Sequence, residues 1–210
     1  MRRIGMIWAV TGAAVILLSG FSMPSQAGIV NSAHDFSGQS WSGGKICVAC
    51  HTPHGSNTDV VDAPLWNRQS SVATYTLYSS PSLKVAPVQP RGPSKLCLSC
   101  HDGTIALDNF GGAGSGTTHI SGNRNLGTDL SNDHPISVEW RHQTVDTSSD
   151  FCFNCHFGPP RELVFFRPGG SGPIWVECAT CHDVHNNVGN PKLLRRSLAN
   201  SELCMTCHEK

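Results

Sequence analysis

Cys47-Val48-Ala49-Cys50-His51 decides how the chain is read, because the same spacing returns four more times. The other copies are Cys97-Leu98-Ser99-Cys100-His101, Cys152-Phe153-Asn154-Cys155-His156, Cys178-Ala179-Thr180-Cys181-His182 and Cys204-Met205-Thr206-Cys207-His208. All ten cysteines fall in these five copies. Cysteines at i and i+3 lie on one face of a helical turn, so both thiols reach the two vinyl groups along one haem edge. The histidine that follows is then set beneath the iron. Zinc ribbons, redox CxxC pairs and the disulfides of exported cysteine-rich chains use parts of this pattern. None of them requires a histidine after every second cysteine. Histidine is 11 of 210 residues, too few for five such placements by chance. The expected cofactors are five haem c groups, with iron held from the proximal side by His51, His101, His156, His182 and His208.

The second axial ligand sets the chemistry: methionine raises the potential, and an empty position admits substrate. Met1, Met6 and Met23 lie in the N-terminal segment, and Met205 sits inside the last motif, badly placed to reach an iron. Histidines outside the motifs are His34, His54, His119, His134, His142 and His185, six candidates for five distal positions. His54 and His185 stand out, each three residues after a proximal histidine. Neither can turn back to the iron of its own motif, so each is projected towards a neighbouring haem. His134 is favoured because Pro135 stiffens the loop that presents it.

The N-terminus opens with Met1-Arg2-Arg3, an apolar run from Ile4 to Leu18, and the small residues of Ser25-Gln26-Ala27. This reads as a Sec-type signal over residues 1–27, cleaved after Ala27, with no membrane anchor left after cleavage. Removing two arginines from a chain with 15 Lys+Arg and 15 Asp+Glu leaves 13 against 15, a formal charge of −2. No basic patch remains to hold nucleic acid. The expected location is the periplasm, the cell surface or the extracellular space.

Residues 28–210 form one pentahaem domain on this reading. The first two sites fall in about 28–110, a glycine-rich loop in about 111–150, and the last three sites in about 151–210. With 21 Gly, 13 Pro and only 7% aromatic residues, side chains alone make a poor core. The predicted fold is mostly coil with short helices around a haem core, and little or no sheet. Short helical turns carry the motifs, and a longer helix is predicted from Leu193 to Cys204. Leu65-Trp66 and Tyr75-Thr-Leu-Tyr78 anchor the connection over 56–95, against haem faces or in a local side-chain cluster.

Cys178 to His185, followed by Leu193-Leu194-Arg195 and Cys204 to His208, resembles the doubled CxxCH module of multihaem cytochromes. Asn31-Ser-Ala-His34-Asp35, His51-Thr-Pro-His54-Gly55, Pro64-Leu-Trp-Asn67 and His101-Asp-Gly-Thr104 are similar to segments of secreted cytochromes of metal- and electrode-reducing bacteria. The resemblance implies electron transport in anaerobic or extracellular respiration, with other redox proteins or extracellular electron acceptors as partners. Some such cytochromes polymerise into filaments, one subunit ligating a haem of the next. His34 is the residue of this chain that would play that part. The expected protein is an electron carrier and not an enzyme. The alternatives are a soluble periplasmic shuttle and a multihaem reductase with one open-site haem.

Overall fold

The computed structural model describes residues 28–140 and 163–208. The third motif (Cys152, Cys155, His156) and His142 lie outside the described residues. Within them the chain is mostly coil, with a few short helices and one small sheet.

The longest helix, α1, runs over Gly92–His101 and carries the second motif on its last turns. Pro93 starts it, where its fixed φ suits a helix and its missing N–H leaves no bond unmade. It ends where Asp102 N–H turns back to Leu98, and Gly103 takes a φ of 75°. Two strands, β1 (Val138–Trp140) and β2 (Ile174–Val176), pair antiparallel with Glu139 opposite Trp175. β2 leads through Glu177 into α2, Cys178–Cys181, and α3 covers Glu202–Met205.

The continuous helix expected from Leu193 to Cys204 is not formed. A 3-10 turn at Pro191–Leu193, an extended Leu194, a second turn at Ala199–Ser201 and then α3 replace it. Lys192, Leu193, Asn200 and Ser201 all take positive φ, which no helix of L-residues can propagate. Leu194 instead bridges back to His182, so the segment is spent on supporting a site.

Buried side chains gather in two small groups. Val60, Trp66 and Leu96 form one, touching Cys50; Tyr75, Leu98 and Leu130 form the other, touching Leu77 and Ile136. Trp66 and Tyr75 are thus anchored in local clusters, while Leu65 is largely exposed. Both groups rest on α1, which makes the second motif the centre of the described fold. At the first described residue, Asn186 Nδ2 donates to the Gly28 carbonyl at 3.0 Å. The seat is tight: a Cβ on Gly28 would stand 2.1 Å from the Asn186 carbonyl oxygen. Among the described residues no helix is long and apolar enough to cross a membrane.

Candidate haem sites

Each described motif is wound as a single turn that puts its histidine N–H on the carbonyl of its first cysteine. His51 to Cys47 is 2.8 Å, His182 to Cys178 is 3.0 Å and His208 to Cys204 is 2.9 Å. In the second motif the turn belongs to α1. For the fourth, Glu177 and Thr180 form a reciprocal cap, with Glu177 N–H donating to Thr180 Oγ1 at 2.9 Å. The eight described cysteines are all free, so the pairs are not closed as disulfides. Burial pushes the thiols of the second cysteines Cys50 and Cys207 up to about 11.

The proximal imidazoles are oriented by backbone carbonyls. His51 Nδ1 donates to Pro64 O at 2.6 Å, His101 Nδ1 to Arg124 O at 2.8 Å and His182 Nδ1 to Lys192 O at 3.0 Å. A carbonyl can only accept, so Nδ1 carries the proton and Nε2 keeps its lone pair for a metal. The first and fourth sites are built alike. Thr52 N–H reaches Leu65 O and Asn67 N–H reaches Cys50 O, just as Asp183 N–H reaches Leu193 O and Arg195 N–H reaches Cys181 O. Leu65 and Leu193 both take positive φ at the corner. Sequence reasoning took Pro64-Leu-Trp-Asn67 and Leu193-Leu194-Arg195 as separate signatures. Their common role shows only when both are seen folding back under a motif histidine.

Three non-motif histidines stand opposite three motif histidines. Ring centroids are 6.1 Å apart for His34 and His101, 6.2 Å for His185 and His51, and 6.2 Å for His134 and His208. An imidazole nitrogen binds a metal at about 2 Å, and the ring centre lies about 1 Å beyond it. Two such ligands on one metal therefore put their centroids about 6 Å apart, so the three pairs fit a shared iron. Burial, with His101, His182 and His185 nearby, pushes the His34 imidazole down to about 4, keeping it neutral as a ligand must be. His134 is pushed down chiefly by burial, and its Nδ1 lies 3.0 Å from Pro135 O.

The remaining candidates are placed differently. His54 and His119 are exposed and face no other described histidine ring. His119 Nδ1 nevertheless donates to Gly103 O at 3.1 Å, the tether that the proximal histidines use. No described histidine ring stands opposite His182 in this way. A cavity of about 250 Å³ opens beside it, lined by Leu77, Leu130, His134, Ile136, Cys178 and Cys181.

The sites are adjacent. The Cys97 and Cys178 thiols are buried side by side, and Cys178 N–H donates to Ser94 Oγ on α1 at 2.9 Å. His185 of the fourth module faces His51 of the first. Buried polar groups fill the gaps: Asp102, next to His101, accepts from Ser71 at 2.5 Å, Tyr75 at 2.6 Å and Thr104 at 2.7 Å.

Residues 172–210 match the family described as doubled CXXCH motif, a span covering the fourth and fifth motifs. No curated protein matches the chain. The family match and the geometry around the motifs make this a c-type cytochrome-like, haem-binding chain.

Proposed function

We propose that the chain is an exported electron carrier holding five haem c groups, most or all of them between two histidines. His34, His185 and His134 are the distal ligands opposite His101, His51 and His208. The observation that carries this reading is the set of three pairs at 6.1–6.2 Å between residues distant in sequence, each joining one motif histidine to one outside the motifs. Each haem supplies a one-electron ferric–ferrous couple when bound. The protein's share is to fix both imidazoles, exclude water from the iron and hold the attachment turns close together. A site whose ligands are fixed in both oxidation states exchanges electrons without rearrangement. Bis-histidine ligation also lowers the potential relative to histidine with methionine, which suits anaerobic or extracellular respiration. The likeness to filament-forming extracellular cytochromes rests on the segments around His34, His54 and Asn67. The facing of His34 and His101 within one chain supports an intramolecular role for His34 over donation to a next subunit.

A reductase with one open iron is the second reading, and the unopposed His182 beside its cavity favours it. One experiment separates the two. The secreted protein should weigh five haems more than the chain from Gly28, and its ferric spectrum should be wholly low-spin. One high-spin iron per chain that binds a small anion or carbon monoxide would establish the open site. A count of three or four haems would overturn occupancy of every motif.

A further inference from the structure

Arg68 is a buried cation that the reading above leaves without a task. It is 4% exposed, and its guanidinium donates to the carbonyls of Ala49 at 3.3 Å, Leu107 at 2.8 Å and Ala106 at 2.5 Å. No carboxylate is among its described partners, and Nε is buried without any partner. Burying a charge is costly unless it is neutralised, and carbonyl dipoles compensate it only in part. The position of the charge explains what it does there. The guanidinium stands beside Cys50 and Cys100, the second cysteines of two different motifs, and the Ala49 carbonyl that it binds adjoins Cys50. Its backbone is tied to the same place, since Asn57 Nδ2 donates to Arg68 O at 2.9 Å and the preceding Asn67 donates its Nδ2 to Val48 O at 2.6 Å.

The structure assigns Arg68 to setting the redox poise of the first and second haem sites together, as a fixed positive charge wedged between their attachment edges. This rests on haem occupancy of Cys47–His51 and Cys97–His101. The physical reason is Coulombic. The ferric site carries one more positive charge than the ferrous site, so a neighbouring cation in a poorly screened interior disfavours the ferric form and raises the potential. Arginine suits the task because it stays protonated through any pH the protein meets. No proton moves with the electron at this residue, and the electron comes from the external donor. Asp102 also lies near Cys100, where its carboxylate, held ionised by the hydroxyls of Ser71, Tyr75 and Thr104, acts in the opposite sense and offsets part of the Arg68 effect at the second site. Both sites are therefore held at a higher potential than the same ligation would give without Arg68.

The test is a spectroelectrochemical titration of the intact secreted holoprotein, with haem load measured by mass in every sample. Arg68→Gln and Arg68→Met remove the charge, and Arg68→Lys keeps it while losing the planar fork. Both neutral variants should shift two of the one-electron steps to lower potential and leave the others in place, and Arg68→Lys should stay close to the parent. Full haem load with unmoved potentials overturns the proposal, as does a shift in Arg68→Lys equal to that in Arg68→Gln. If both neutral variants lose haem while Arg68→Lys retains it, the carbonyl bonds are what Arg68 supplies, and the proposal also falls. A parent protein carrying no haem at the first two motifs would instead defeat the functional reading on which the proposal rests.

Discussion

A proximal imidazole whose Nδ1–H is taken by a backbone carbonyl has its lone pair and its ring plane fixed before any metal arrives. Pro64, Arg124 and Lys192 supply those carbonyls, and no side-chain motif announces them, because a carbonyl has no identity in a sequence. The distal histidines were visible as a group of six but not as partners. His34→Ala, His134→Ala and His185→Ala should each convert one low-spin iron to high-spin with haem load unchanged, read by electron paramagnetic resonance. His54→Ala, at an exposed ring facing no described histidine, should leave the irons at His51, His101 and His208 low-spin. A low-spin His185→Ala protein would break the assignment of that pair. The Asp102 network makes a separate stability prediction. Asp102→Ala removes the acceptor that the buried Tyr75 and Ser71 hydroxyls share and leaves them their mutual bond at 3.0 Å, and a buried hydroxyl left short of a partner costs roughly 1–3 kcal/mol. Equilibrium denaturation of the holoprotein should show a loss of about 2–4 kcal/mol, and Asp102→Asn, which keeps an acceptor, a smaller one.

Helices of four residues do not persist by propensity, since nucleation is unfavourable and too few bonds follow it. α2 stands because Glu177 and Thr180 cap it reciprocally and Ser94 accepts Cys178 N–H from α1. Thr180→Val keeps the shape but leaves the Glu177 N–H without its acceptor. It should cost about 1–2 kcal/mol in denaturant midpoint measurements while both thioethers still form. The N-terminal segment is a second element held by contacts rather than by regular structure. Gly28→Ala would drive a methyl into the Asn186 carbonyl at 2.1 Å, in the loop that carries His185. The expected result is partial high-spin character at the His51 site. Gly38→Ala, with nothing within 4 Å of the added carbon, is the silent comparison. An unchanged spectrum in Gly28→Ala would mean that the N-terminal seat does not position His185. The helix expected from Leu193 to Cys204 failed at this scale, because its apolar spacing gave no sign that Lys192, Leu193, Asn200 and Ser201 turn left-handed.

Across the described residues, six of the eleven buried hydrophobic side chains gather in two separate groups of three, and the other five join neither. Haem and its ligands must supply the missing interior, so folding and cofactor attachment are coupled. The chain produced without haem, or with the motif cysteines replaced by serine, should be protease-sensitive and should melt without a cooperative transition. A compact apoprotein with a sharp thermal transition would show that the side chains suffice. The same economy explains why the sites crowd together. Cys97 against Cys178, His185 against His51, and Arg68 between Cys50 and Cys100 place the first, second and fourth motifs around one centre, an order that their spacing along the chain does not reveal.

Cysteine and histidine spacing pointed to haem chemistry from the amino acids alone, because thioether attachment and proximal ligation would be completed within one helical turn. Low aromatic content with many glycines and prolines likewise settled that the fold would be mostly coil, since no side-chain core was available to organise sheets. Which histidine rings face one another, what backbone orients each motif ring and where the buried Arg68 guanidinium sits were decided only by tertiary structure. Those contacts join residues far apart in the chain, through carbonyls and ring faces whose meeting depends on how several left-handed turns fold each segment back beneath its neighbour.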